Sequence, residues 1–451
     1  MPEDTRAAAR VHQGAGGVLD RYFHLSAKGT SVKQELIAGL TSFVSVAYII
    51  AVVPAMLADA GMPRDAAVAA VAISAACATM LMGLFANFPA VVAPGLGLSA
   101  FFAYFVVPVQ GLSWQAGLGA VFVSGVCFFL LTVTRLRQML VDAVPMPLKR
   151  AIVVGIGLFI TFIGLRGAGI VVASPSTLVT LGNVCQPGTL ISLAGLLLTA
   201  VLMHRGWMSA MLTGMLATAA ACMIAGVSPA PASFGELVRP HLPDLAPLFC
   251  QLDFKGAMDF GIVQIVFTFT IVELFDNMGT LIGLAKKASL MDEKGNIQNL
   301  DKAFATDSVG TMASAFIGCP TVTTYIESAA GIAQGARTGL SSVFAGALFL
   351  LALPLAPLFS LVPAYATAPV LVIVGAIMMA EVVHIDFTDL TEGLPCFLTI
   401  ATMPLTYSIA TGFGFGFVSY AFLKSCTGRW REVGPVMWVV SLLFVVNFAL
   451  R

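Results

Sequence analysis

The hydrophobic positions of this chain gather into long runs separated by short polar connections. A helix needs about 20 apolar residues to cross a bilayer. By that measure the runs predict spans near 36–58, 66–86, 89–108, 116–134, 148–172, 189–203 and 207–227. A polar, proline-rich stretch follows, from Ser228 to about Gly256. Spans resume near 259–284, 303–318, 320–336, 338–361, 366–382, 393–408 and 409–424. Seven precede the break and seven follow it. A last apolar stretch, Val436 to Leu450, reads equally as a fifteenth span or as an interfacial helix.

With an odd number of spans in each half, the second half enters the membrane from the opposite side. That is the pattern of an inverted-topology repeat, common in secondary transporters. Two corresponding spans, the third and the tenth, share a broken character. The third carries Pro89, Pro94, Gly95 and Gly97 ahead of Leu98-Ser99-Ala100-Phe101, and the tenth carries Gly318, Pro320 and Thr321-Val322-Thr323-Thr324 ahead of Tyr325-Ile326-Glu327-Ser328. Proline lacks an N–H and clashes with the preceding turn, and β-branched residues favour extended backbone. Each break therefore reads as a short extended piece leading into a half-helix. Unwound backbone at membrane depth is tolerated where protein or a wet cavity surrounds it, and paired breaks point to a transport site.

Polar residues inside the apolar runs supply the candidate chemistry. Glu273 and Asp276 lie in the eighth span and Glu327 in the tenth. An intramembrane carboxylate costs several kcal/mol, roughly 2.5–3.5 on insertion scales, and so faces a cavity, a partner or a substrate. Glu273 and Asp276 are three apart and share a helix face. Carboxylates converging in low dielectric cannot all be ionised, which is the minimum apparatus for proton coupling. The hydroxyls of Thr280, Thr323, Thr324 and Ser328 would help to ligate sodium, which stays open as the coupling ion. A carboxylate suits a ligand with two adjacent N–H groups. Phe101, Phe102, Phe275 and Tyr325 offer faces to a flat ring, although each reads as readily as packing.

Composition agrees with a lipid-solvated chain. The 451 residues are 58% hydrophobic and 10% charged, with no net charge, against about 25% charged residues in soluble proteins. Zero net charge argues against nucleic-acid binding. The eight cysteines are scattered without a CxxC pair, so neither a metal site nor a disulfide frame is suggested. No Walker motif follows the glycine-rich run from Gly155 to Gly169. No nucleophile–base pair or metal-ligand set is visible, so an enzyme is not expected. Met1 to Lys33 lacks the apolar region of a signal peptide. Lys and Arg gather on one side of the predicted membrane, at Arg6, Arg10, Arg21, Lys149, Arg150, Lys286, Lys287, Arg337, Lys424, Arg429 and Arg431. The positive-inside rule then makes the N-terminus cytoplasmic.

Three stretches, Ala93-Pro94-Gly95-Leu96-Gly97-Leu98-Ser99-Ala100-Phe101-Phe102-Ala103-Tyr104, Leu274-Phe275-Asp276-Asn277-Met278-Gly279-Thr280-Leu281-Ile282-Gly283 and Thr321-Val322-Thr323-Thr324-Tyr325-Ile326-Glu327-Ser328-Ala329-Ala330-Gly331, resemble the AzgA-like branch of the nucleobase–cation symporter-2 family. The resemblance runs from about Tyr22 to the C-terminus. It implies an all-α polytopic membrane protein of 14 spans in a 7+7 inverted repeat, with extended pieces in spans three and ten. It further implies a core domain of spans one to four (36–143) and eight to eleven (259–362). A gate domain of spans five to seven (144–230) and twelve to fourteen (363–451) completes the fold. The cytoplasmic segment 1–35 and an extracytoplasmic loop 231–258 lie outside these. Relatives are usually homodimers that move core against gate in the plasma membrane.

The activity implied is import of purine bases by proton symport, hypoxanthine and guanine favoured, with no cofactor. Adenine is the alternative cargo. A channel or anion transporter on the same architecture is a reading of another class. By the resemblance Asp276 and Glu327 hold the base, Ser328 is a second polar contact, and Tyr325 belongs to the Tyr-x-Glu pattern. Thr280 falls where a distant uracil-transporting branch places histidine. Ser99 stands where many members carry Asn, which bears on base preference. Phe101 is a candidate ring face. Glu327, Asp276 and Glu273 are the candidates for proton coupling.

Overall fold

The computed structural model describes residues 17–134, 136, 140, 143–231, 244–259, 262–291 and 297–449. Residues 232–243 of the expected 231–258 loop and residues 1–16 of the 1–35 segment lie outside the described residues. After a short helix, Val18–Phe23, the first apolar run forms α1 (Val32–Val46) and α2 (Ile49–Asp59). Ser31 caps α1 by accepting from the Gln34 N–H. Next, α3 (Arg64–Leu81) runs on through a π-helical turn, Met82–Ala86. The chain then extends as β1 (Val92–Pro94), before α4 (Leu96–Phe101) and a second π-helical turn, Phe102–Val106. There follow α5 (Trp114–Val133) and α6 (Met146–Gly167).

Here one expected boundary moves. The run 148–172 does not stay helical to its end. Gly169 takes a left-handed φ of +71°, and β2 (Val171–Ser174) folds back on β3 (Leu178–Leu181) as an antiparallel hairpin. Val171 and Val172 extend the apolar run, but their β-branched side chains suit a strand. After it come α7 (Pro187–His204) and α8 (Ala210–Ile224).

The second half opens with α9 (Ile262–Lys287) and α10 (Leu300–Ile317). The tenth run again breaks, into β4 (Val322–Thr324), a tight turn Ile326–Ser328 and the short α11 (Ala329–Ala333). Next are α12 (Leu340–Leu351) and α13 (Ala364–Met378), the latter tightening into a 3-10 segment, Met379–His384. Last come α14 (Leu390–Leu405), α15 (Ile409–Cys426) and α16 (Pro435–Ala449). In α16, Met437, Val440 and Phe444 are buried, while Trp438, Leu442 and Leu443 are exposed.

Eight helices among the described residues are long and apolar enough to cross a membrane, and four more apolar helices are shorter. The fold is thus a helical polytopic membrane fold. The expected fourteen crossings exceed that count, because several runs are broken or short.

At the centre, β1 and β4 pair antiparallel, with Val92 opposite Thr324, Ala93 opposite Thr323 and Pro94 opposite Val322. All six residues are buried. A buried two-stranded ribbon must find partners for its outer edges. Flanking helices supply them. The Thr79 hydroxyl both donates to Val92 O (2.8 Å) and accepts from Val92 N–H (3.0 Å). Asn277 Oδ1 accepts from Thr324 N–H at 2.8 Å, and Ser314 donates to Pro320 O at 2.5 Å.

The helices pack in two groups. In one, α12 lies on α1 and α3, and α10 on α3 and α5, with α9 against α5. In the other, α6 lies against α13 and α14, α14 against α15, and α7 and α8 against α13. Small residues let α6 and α13 close up: a Cβ built on Gly375 would stand 2.4 Å from Gly157 O. At one end of the second group, Asp389 caps α14 and takes a 2.8 Å ion pair from Arg429. The Arg429 guanidinium, with Thr391, holds the Asp389 carboxyl well below the usual carboxylate range.

Candidate functional site

A cavity of about 230 Å³ opens between the two groups. One wall comes from the broken spans and their neighbours: Leu96, Gly97 and Leu98 at the start of α4, Thr323 and Thr324 of β4, and Tyr325, Ile326 and Glu327 beyond it. Val272, Asp276 and Thr280 of α9 complete it, four residues apart and therefore on one helix face. Tyr48, between α1 and α2, closes the end. The facing wall is Val153, Ile156 and Ile160 of α6, Val374, Ile377 and Met378 of α13, and Glu381 just past it.

Two breaks make this space. Pro94 and Gly95 end β1, and α4 begins with Leu96, so the first turn of a helix abuts the cavity. Those first N–H groups have no partner within the helix. On the other strand, the turn after Thr324 brings Glu327 round. Its Oε1 accepts from the Tyr48 hydroxyl at 2.8 Å. The Tyr325 hydroxyl donates to Pro94 O at 2.5 Å, which ties one broken span to the other. The lining therefore holds two half-buried carboxylates on one wall, opposite a nearly continuous aliphatic wall. Among the described lining residues there is no lysine or arginine.

Six of the residues singled out in the sequence meet here: Asp276, Glu327, Thr280, Tyr325, Thr323 and Thr324. Ser328, Phe101, Ser99 and Glu273 do not, and neither do Phe102 and Phe275. Ser328 is buried behind the turn, where its hydroxyl accepts from Val91 N–H at 2.9 Å. Phe101 is packed in the core, stacked on Phe105 at 5.2 Å and edge-on to Phe269 at 5.3 Å. Ser99 is fully buried, and its hydroxyl has no hydrogen-bond partner among the described residues. Glu273 shares only part of the Asp276 face. It turns away from the cavity toward α10 and accepts from the Thr311 hydroxyl at 2.6 Å.

The structure adds residues to the neighbourhood. Asp307 of α10 is buried behind β4 and accepts from the Thr324 hydroxyl at 3.2 Å. An acid within the run 303–318 carries the same signal as Asp276, so it was legible. Tyr48 left only a weak trace, a lone tyrosine in an apolar run. Glu381 stands at the very end of the expected span 366–382, where an acid reads as the edge of a crossing rather than as part of a site. Asn277 holds the edge of β4 rather than facing the cavity.

The chain is similar to known proteins along most of its length. The Permease family profile (Xan_ur_permease) matches residues 33–415. Adenine permease AdeQ of Escherichia coli is 40% identical over 438 residues, covering 96% of this chain and 97% of that protein. Guanine/hypoxanthine permease PbuO of Bacillus subtilis is 42% identical over 430 residues, covering 94% of this chain and 99% of that protein. Among solved structures, the transmembrane domain of a cyanobacterium bicarbonate transporter, BicA, superposes with a TM-score of 0.64. It covers 84% of this chain and 97% of its own at 16% identity, a likeness of fold alone.

Proposed function

Because the chain belongs to the Permease family, and is an integral membrane permease rather than an enzyme, we propose that it imports purine nucleobases by proton symport, hypoxanthine and guanine favoured. The observation that carries this reading is the meeting of Asp276 and Glu327 in one cavity with an aliphatic wall opposite. A flat heterocycle fits between such walls, and its N–H edge finds carboxylate acceptors. Where the described lining has no basic side chain, two carboxylates and a neutral base are best accommodated when one carboxyl is protonated. The proton then enters and leaves with the cargo. Tyr48, hydrogen-bonded to Glu327, orients that acid. Thr280 and the first turn of α4 complete the polar wall.

The two helix groups support an assignment of core (α1–α5 and α9–α12) and gate (α6–α8 and α13–α16). On this reading fourteen segments cross as two inverted sevens, with the N-terminus cytoplasmic, the protein pairs as a homodimer in the plasma membrane, and the core slides on the gate.

Adenine is the alternative cargo, since AdeQ is an adenine permease. It presents an acceptor at N1, which a protonated carboxyl would satisfy. Anion transport is favoured only by the fold likeness to BicA; a cavity lined by acids opposes an anion. Uptake of radiolabelled hypoxanthine by cells expressing the chain, with unlabelled guanine, adenine, xanthine, uracil and bicarbonate as competitors, tests the reading. Competition by guanine supports it, competition by adenine alone moves it to the adenine subgroup, and no uptake of any base by membrane-resident protein refutes it.

A further inference from the structure

The cavity has one feature that the purine reading does not use. Of the seven residues lining the gate wall, six are aliphatic or Met, and the seventh is Glu381. Its position is built by the backbone. Beyond Met378, α13 tightens into the 3-10 segment Met379–His384. Passing from 3.6 to 3.0 residues per turn changes the angular spacing of side chains, and Glu381 keeps to the cavity side. The end of the segment is pinned to the neighbouring gate helix: Arg150 of α6 donates to His384 O at 2.6 Å. Glu381 is exposed, and no described residue donates a hydrogen bond to it. Its acceptors are free for something that passes.

Resting on the purine-transport reading, we propose that Glu381 is a gate-side recognition residue. It accepts a cargo N–H when the cavity stands open beside it. Asp276 and Glu327 belong to the wall that carries the base; Glu381 belongs to the wall it leaves. A base held by the core carboxylates therefore meets Glu381 in one arrangement of the two walls and is drawn away from it in the other. The contact is sided. It tunes affinity at the membrane face toward which Glu381 lies, and it is absent from the opposite face.

The test is equilibrium exchange of radiolabelled hypoxanthine in right-side-out and inside-out vesicles, with saturating hypoxanthine on the far side. Glu381→Gln, which keeps the shape and removes the charge, raises the half-saturation concentration about tenfold at one face, the scale of one charge-assisted hydrogen bond at a partly exposed site. The other face stays within about twofold, and Glu381→Asp falls between. Half-saturation unchanged at both faces, or raised equally at both, overturns the proposal. Membrane levels of each variant are measured alongside, and Glu381→Asp and Glu381→Gln serve where Glu381→Ala fails to accumulate. Absence of hypoxanthine exchange by the unsubstituted protein is a separate result, which removes the purine reading and this proposal with it.

Discussion

Gly97 sits where the two walls touch. It lies in the first turn of α4, in one helix group, against Ile156 of α6 in the other. A Cβ built there stands 2.7 Å from Ile156 Cγ2 and 3.8 Å from Ile160 Cδ1. The first distance is about 0.7 Å or more short of ordinary contact between carbons. Ile156 is nearly fully buried, and a β-branched side chain in a helix has one strongly preferred rotamer. It cannot swing aside cheaply, so Gly97→Ala must part the walls. Overpacking of this kind costs about 1–3 kcal/mol. Replacing a helical glycine gains at most about 1 kcal/mol, and less at a helix start. The net penalty, on the order of 1–2 kcal/mol, corresponds to a factor of about 5–30. Gly97→Ala therefore lowers the initial rate of hypoxanthine uptake by that factor at unchanged membrane level. Ile156→Ala removes the offending methyl, so the double variant recovers most of the rate. A wild-type rate in Gly97→Ala, or a double variant no faster than the single one, refutes the reasoning.

Four further outcomes are expected. Asp276→Asn and Glu327→Gln each abolish uptake while the protein stays in the membrane fraction, as labelled-base uptake and immunoblotting will show. Tyr48→Phe removes the hydroxyl that binds Glu327 and lowers uptake about tenfold, the worth of one hydrogen bond to a charged group; an unaffected rate removes Tyr48 from the site. Asn277→Ala orphans the buried Thr324 N–H and costs about 1–3 kcal/mol, seen as a lower Tm of the solubilised protein. The Asp389–Arg429 pair gives a pH effect of definite sign. The folded carboxyl lies below its ordinary range, so its contribution is present in full above the unfolded pKa of about 3.9 and is lost as pH falls below it. Arg429→Ala therefore lowers Tm between pH 5 and 8, and the difference from wild type shrinks at stronger acidity.

The sequence carried the broken spans well. Pro89, Pro94 and Gly95 on one side, and Gly318, Pro320 and the threonine run on the other, announce local departures from helix, and the extended pieces fall there as β1 and β4. Local signals of this kind are written in adjacent residues. The site was legible in its acids for the same reason: a carboxylate in an apolar run stands out without any knowledge of its partner. What faces what is not local. The Tyr48–Glu327 bond spans 279 residues, and neither residue announces the other. Glu273 and Asp276 are three apart, yet one meets Thr311 and the other the cavity, because a helix wedged between two layers divides its face between them. Ser328 and Phe101 lie in the right motifs, but their side chains point into the structure behind the wall. The β2–β3 hairpin was hidden because Val171 and Val172 prolong the apolar run that precedes them.

The central claim is that one cavity, with Asp276 and Glu327 in its wall, carries a purine base together with a proton. Its most direct test is purified protein in proteoliposomes, with hypoxanthine uptake followed under an imposed inward proton gradient. The account predicts that unsubstituted protein accumulates hypoxanthine above the external concentration, that a protonophore collapses the accumulation to equilibrium, and that Glu327→Gln accumulates none. Equal accumulation with and without the gradient, or gradient-driven accumulation by Glu327→Gln, would contradict it.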